Sequence, residues 1–266
     1  MNSATTVSQS QEAKDRAATL CNRERLGANK NLLFWYRELY REQFKDFPDP
    51  ATLSILEIGS GTSPLKQFHS NIVTSDILDL DYLDLVFDCH EIDKFDAITD
   101  NSLDVITLTN VLHHLKSPIA SLNSAAAKLK PGGKVIATEP FFSILSTAIY
   151  KYLHHEAVDF HVREPELREV RGPLASANHA LPWLIFFRRR DWLERLNENF
   201  DVTNRSIRPF TALSYMATGG ISRTLPIPHF LYRTLFSTDL AISGRLPRFC
   251  AAFFAVTPGE TLMSTG

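Results

Sequence analysis

Leu53-Ser-Ile-Leu-Glu57-Ile-Gly59-Ser-Gly61 decides how the rest of the chain is read. An apolar run that breaks into Gly-x-Gly predicts a buried parallel strand and the tight turn that leaves it. Glycines in such a turn let the backbone approach a ligand closely, and a following helix offers free N–H groups. A pyrophosphate-gripping Gly-x-Gly-x-x-Gly needs a third glycine three positions after Gly61, and Pro64 stands there instead.

Downstream the same pattern repeats. A second strand is predicted over residues 72–75, followed by Asp76, and a third apolar stretch over 83–87 runs into Asp88-Cys89-His90. A strand over 103–109 ends at Asn110, an amphipathic helix covers 119–129, Pro131-Gly132-Gly133 reads as a tight turn, and a strand over 134–138 ends at Glu139. Strands alternating with helices imply a parallel sheet covered on both faces. An acid after the second strand can accept both hydroxyls of a ribose, a geometry shared by nicotinamide and adenosyl cofactors.

Upstream, residues 1–28 are rich in Ser, Thr, Gln and Ala and read as a flexible tail passing into a helix. Residues 29–45 place Leu32, Leu33, Tyr36, Leu39, Tyr40 and Phe44 at helical spacing, and Pro48 and Pro50 stop that helix. Beyond Glu139 the alternation breaks. Residues 141–189 are aromatic and His-rich, too long for a plain connection, and read as a lid-like insertion between strands 5 and 6. A helix over 190–199, a strand over 200–207, an irregular insertion over 208–247 and a strand over 249–256 follow. The expected organisation is one domain over 29–258, with 259–266 as a C-terminal tail.

Composition sets outer bounds. With 266 residues, 44% of them hydrophobic, the chain can bury a core without staples. A net charge of -2 supplies no basic field for nucleic acid, so no nucleic-acid partner is expected. Cys21, Cys89 and Cys250 form no Cys-x-x-Cys pair, which suits a reducing, cytoplasmic setting. The first eleven residues lack the basic and apolar regions of a secretory signal, and no apolar run approaches the ~20 residues of a membrane span.

Four motifs in order, Glu57-Ile-Gly-Ser-Gly61, Asp100-Asn-Ser-Leu-Asp104-Val, Val111-Leu-His-His-Leu115 and Leu129-Lys-Pro-Gly-Gly133, resemble the class I, Rossmann-like methyltransferases of the small-molecule branch. The resemblance spans residues 53–139. It implies an α/β fold with a seven-stranded, mostly parallel sheet whose last strand is antiparallel, and S-adenosyl-L-methionine as cofactor. It implies that Glu57 and Gly59 line the methionine end, that Ser60 and Gly61 form the loop beneath it, and that Asp76 holds the ribose. Asp88, with the Cys89 backbone beside it, meets the adenine; the long spacing from Asp88 to Asp104 leaves His90 or Glu91 as alternatives. Asn110 faces the sulfonium, or caps the helix that follows.

Methyl transfer from a sulfonium demands positioning and exclusion of water more than a dedicated base. A hydroxyl acceptor usually needs a base. The catalytic candidates are His154, His155 and Glu156, which open a cluster that continues to Asp159 and His161, together with Glu139 at the fifth strand's end. For the cluster three readings stay open: ordinary hydrogen bonds in a lid helix, a proton acceptor, or metal ligands. No metal site is assigned. His113 and His114 read as packing residues near the cofactor.

The fourth strand's end, Thr109-Asn-Val-Leu112, carries no Asn/Asp-Pro-Pro-Tyr/Phe motif, which argues against DNA and protein amide or amine acceptors. Ten arginines between 186 and 248, interleaved with aromatics, suit either a solvated basic face or an anionic, partly apolar acceptor. The expected activity is methylation, at oxygen, of a small molecule, a glycan or a lipid-linked intermediate (EC 2.1.1.-), with peripheral membrane contact open. The alternatives are a non-catalytic methyltransferase-like subunit and an NAD(P)-dependent oxidoreductase. Pro64 and the lack of a Tyr-x-x-x-Lys disfavour the oxidoreductase.

Overall fold

The computed structural model describes residues 2–152 and 156–262. Its centre is a seven-stranded sheet in the order β3-β2-β1-β4-β5-β7-β6. The strands are β1 (Ile55–Ile58), β2 (Val73–Asp76), β3 (Leu85–Val86), β4 (Leu103–Thr109), β5 (Leu129–Pro140), β6 (Ser206–Phe210) and β7 (Phe253–Thr257). The first five pair in parallel, and β7 runs antiparallel between β5 and β6. The chain therefore reverses its strand order beside β1, which places β1, β2 and β4 around a crevice at their carboxyl ends.

The central strands are buried on both faces, and their period of two sorts residues between two cores. Ile55, Val105 and Ile136 face one core with Trp35, Leu39 and Tyr40 of α2 (Lys30–Phe44). Leu56, Ile106 and Val135 face the other with Leu122 of the helix Pro118–Ala126. Asn29 caps α2 by accepting from the Leu32 N–H at 3.1 Å. The Trp35 indole, fully buried, donates to Thr211 Oγ1 at 2.7 Å and ties α2 to the segment after β6.

Several expectations change. Residues 2–28, expected as a flexible tail, form α1 (Asn2–Ala28), and Asp15, Thr19 and Leu26 on it are buried. Its sparse apolar residues concealed the contact, because two of those three anchors are polar. The Pro131-Gly132-Gly133 turn lies within β5, as an outward bulge where the pairing jumps from Leu103↔Leu129 to Val105↔Lys134. Of the expected C-terminal tail, residues 260–262 are tied down: the Gly132 N–H donates to the Thr261 carbonyl, the Thr261 N–H to Gly133, and the Leu262 N–H to Asn199. The sixth strand begins at Ser206 because Asp201 caps a 3-10 turn over Val202–Asn204. The stretch 208–247 is largely helical, including the helix His229–Arg245. The connection from β5 to β6 contains the helices Ile144–Tyr152, Ala180–Trp183 and Arg190–Leu193, with a π-helical turn over Leu184–Arg188.

Candidate active site

A cavity of 1510 Å³ opens at the carboxyl edge of the sheet. A single small-molecule pocket is typically about 300–1,000 Å³, so this one has room for two ligands.

One side is made of strand ends. Gly59 has φ +75°, and a Cβ there would sit 2.3 Å from Val111 Cγ2. A Cβ on Gly61 would meet Thr19 Cγ2 at 2.7 Å and Asp76 Oδ2 at 2.9 Å. A side chain at Gly59 would strain the backbone and press on Val111, and one at Gly61 would have to displace Thr19 and Asp76. Asp76, at the end of β2, accepts from the Gly61 N–H and the Leu78 N–H, each at 3.0 Å. Burial raises its pKa against those hydrogen bonds. Asp88 and Cys89 also line the cavity. Asp88 is exposed and accepts from the His90 N–H at 2.9 Å, while burial, with Asp88 beside it, pushes the Cys89 thiol up to about 12. Asn110 lines the cavity at φ +58°, the left-handed region that Asn tolerates. It caps no helix: the next turn, Leu112–His114, begins from Val111 without a side-chain cap.

Glu57 and Ser60 lie behind this wall, each 1% exposed. Ser60 Oγ donates to the Glu57 carbonyl and accepts from the Ser75 N–H, so it cross-links β1 to β2. Glu57 Oε1 accepts from Ser63 Oγ at 2.5 Å and Tyr40 pairs with the same hydroxyl at 2.9 Å, while Glu57 Oε2 has no partner among the described residues. Burial pushes the Glu57 carboxyl up to about 7, against hydrogen bonds from Ser63 and Ser60.

Helix α1 closes the wall from outside. Ala18, Thr19 and Asn22 line the cavity, Arg23 donates to the Ser63 carbonyl at 3.1 Å, and its guanidinium lies 4.0 Å over the Tyr82 ring. Tyr82 in turn donates to the Gly61 carbonyl at 2.6 Å.

The other side is assembled from distant segments. Tyr36, His113, His114, Tyr150, Glu156, Arg171, His179, Tyr215 and Arg223 contribute. Glu139 does not reach the cavity. It is fully buried and accepts from the Val111 N–H at 2.9 Å, the Leu112 N–H at 2.7 Å and His113 Nδ1 at 2.6 Å. Its carboxylate therefore shapes the loop after β4 and orients His113.

Glu156 is part of the cavity wall and contacts His179 Nε2, with His113 Nε2 at 3.6 Å from its Oε2. Burial alone would lower the His113 pKa, but the Glu139 carboxylate and its hydrogen bond, aided by Glu156, push it up to about 9. Burial opposes ionisation of Glu156, and the hydrogen bonds from His113 and His179 win and hold it well below the usual range. His114, donating from Nδ1 to the Ser176 carbonyl at 2.9 Å, is held at about 3 by burial and by His113. His154 and His155 lie outside the described residues, and His161 is exposed.

Sequence reading missed Tyr36, Tyr150, His179 and Tyr215. Tyr36 hid inside an apolar helical stripe, yet it lines the cavity, as does Asn110. His179 carried one local signal, the polar Ser176-Ala-Asn178-His179 set before an apolar run. Of the ten arginines at 186–248, only Arg223 lines the cavity. Arg189, Arg190 and Arg195 pair with Asp191, Glu194 and Glu164 on exposed surface, which is the solvated basic face.

Residues 32–207 match a family described as a methyltransferase domain. A search of curated proteins found no match. Similar solved structures include a SAM-dependent methyltransferase from Archaeoglobus fulgidus, at 16% identity and TM-score 0.45, covering 85% of this chain and 94% of that one. Another is the putative methyltransferase complexed with the Trm112 methyltransferase activator of Haloferax volcanii, at 13% identity and TM-score 0.46, covering 92% and 99%. A third is a putative sarcosine dimethylglycine methyltransferase from Galdieria sulphuraria, at 11% identity and TM-score 0.42, covering 86% of each chain.

Proposed function

The chain belongs to the methyltransferase-domain family, and from that premise we propose that it transfers a methyl group from S-adenosylmethionine to an oxygen of a small molecule, glycan or lipid-linked intermediate. The observation that carries this reading is the single cavity with two unlike sides, one of glycines and a strand-end acid, the other of tyrosines, histidines and a carboxylate.

The first side fits the cofactor. Its glycines leave a cradle that a Cβ would fill. Asp76 keeps acceptor capacity beyond the two backbone N–H groups it holds. S-adenosylmethionine, when bound, supplies a methyl on a sulfonium that leaves as a neutral thioether. The protein's own work is then to position and to dry the site. Asp76 orients the ribose, Asn110 sits where the two sides meet, and α1 with residues 170–174 shields the cavity from water. The insertion after β5 acts as a lid through those residues.

On the acceptor side, Glu156 with His113 and His179 offers hydrogen-bond partners to an acceptor hydroxyl, and Arg171 and Arg223 favour an anionic acceptor. A lipid-linked acceptor is supported by the exposed Phe230, Leu231, Leu246 and Phe249, interleaved with exposed Arg233, Arg245 and Arg248. No helix of the described residues is long and apolar enough to cross a membrane.

Methyl-labelled cofactor incubated with fractionated small molecules, glycans and lipid extracts tests this reading. Label in a base-stable ether or an ester of one fraction supports it. Label only in protein or nucleic acid, or on nitrogen, contradicts it.

A further inference from the structure

His113, Glu156 and His179 each offer one donor atom, and the three lie within 4.8 Å of one another. They come from three separate segments: the turn after β4, the residue just past the undescribed 153–155, and the N-cap of the helix Ala180–Trp183. Nothing local in the sequence forces them together. Two histidines and one carboxylate form a donor set suited to zinc or another divalent first-row ion.

Their surroundings match a metal site more closely than a surface cluster. Glu139 accepts from His113 Nδ1 at 2.6 Å, which fixes the tautomer and turns Nε2 toward Glu156. A metal-ligating histidine almost always gives its other ring N–H to such a partner. Glu139 is itself fixed by two backbone N–H groups, so the outer carboxylate is rigid. His179 is 5% exposed and packs edge-on against Tyr150 at 5.4 Å, which fixes its ring plane.

Charge points the same way. Among the described residues of the cluster two carboxylates come together, Glu139 fully buried and Glu156 partly exposed in the cavity wall. A dication held beside them balances both, and an uncompensated buried charge is costly. All three residues line the cavity, so an ion held by them would be reached from it.

We propose that His113, Glu156 and His179 bind one divalent transition-metal ion, with Glu139 as the residue that orients His113. An ion there would take an oxygen of the acceptor as a further ligand and lower the pKa of its hydroxyl. That consequence rests on the methyl-transfer reading; the binding of the ion does not. A second, different donor set is Asp88, Cys89 and His90, where Asp88 is exposed and all three residues fall on one turn.

The test uses the full chain stripped with chelator and titrated with Co²⁺, followed by visible absorption, beside elemental analysis of protein purified without chelator. The expected result is one ion per chain and a d–d spectrum of mixed nitrogen and oxygen ligands. Glu156→Gln and His179→Asn should each weaken Co²⁺ at least about 100-fold, and Glu139→Gln about 10–100-fold. Glu156 is partly exposed, so its variant keeps the test alive if a histidine variant fails to fold. A folded wild-type chain that retains no metal and gives no Co²⁺ spectrum overturns the proposal. So does Co²⁺ affinity unchanged in folded Glu156→Gln, or affinity lost instead in Cys89→Ser. Cofactor titration of the same samples separates the two readings: cofactor binding without metal sinks only the metal site, and metal binding without cofactor sinks only the methyl-transfer reading.

Discussion

The cofactor side of the cavity is drawn from four strand ends between residues 55 and 110, whereas the acceptor side gathers Tyr36, Glu156, His179, Tyr215 and Arg223 from separate parts of the chain. Backbone shape does most of the work on the first side: two crowded Cβ positions, a left-handed Asn110 and an acid pinned by main-chain N–H groups. Side-chain chemistry does it on the second. A wall made of backbone tolerates little change at a few positions, while a wall made of side chains can be retuned one residue at a time. The parallel sheet thus supplies the backbone-made wall, and the segments outside it supply the side-chain-made one.

The largest expected effect breaks the first wall alone. Gly59→Val combines a strained positive φ with a Cβ placed 2.3 Å from Val111 Cγ2. Calorimetry should find S-adenosylmethionine affinity reduced by about 100-fold or more, with Co²⁺ binding on the other side retained. Loss of both together would mean that the two sides are not separable. Asp76→Ala comes next, removing a charged acceptor; a loss of about 10–100-fold in cofactor affinity is expected, from ~1.5–3 kcal/mol for such a bond. An unchanged dissociation constant would move the ribose contact elsewhere.

These two predictions rest on what was legible before the fold was known. Gly59, Gly61, Asp76 and Asn110 sit in contiguous motifs, because a turn that must pass close to a ligand writes its needs into adjacent residues. The alternation of strands and helices over 53–139 was legible for the same reason: its cues are local and periodic. Glu57 and Ser60 were found in the same motif, yet both lie behind the wall, since sequence order does not say which face of a turn a side chain takes. Glu139 was expected at the cavity and instead holds His113, because its three donors come from the neighbouring loop. The acceptor side left almost no trace, as contacts such as Tyr150 to Ala252 or His113 to Glu156 join residues far apart in the chain. Helix α1 was obscured for a related reason: its docking relies on Arg23, Thr19 and Asp15 in place of an apolar stripe.

Glu57 gives a pH test of the first wall. Its buried carboxyl titrates near 7 in the folded chain, above its unfolded value, so the folded state binds the proton more tightly. The stabilisation is fully present below about pH 4.5 and is lost as pH rises toward 7, on the order of 3 kcal/mol in cofactor-free protein. Glu57→Gln should flatten that part of the stability profile in chemical denaturation. An unchanged slope would show that the group is not the source.

Smaller effects sharpen the second wall. Arg223→Gln should raise the acceptor's KM by about 3–10-fold with kcat little changed, the signature of uniform binding lost; a fall in kcat at constant KM would place Arg223 nearer the reacting atoms. Arg190→Ala, on an exposed pair with Glu194, should leave both kinetics and melting temperature unmoved. A clear loss would bring the outer arginines back into the acceptor site.

S-adenosylmethionine is expected to bind at the loop after β1. Calorimetric titration of wild type and of Gly61→Val, whose Cβ would meet Thr19 and Asp76, tests it most directly. One cofactor per chain with micromolar affinity, abolished in a variant that still melts cooperatively, is the predicted result. A folded wild type that takes up no cofactor, or a Gly61→Val chain that binds it equally well, would contradict it.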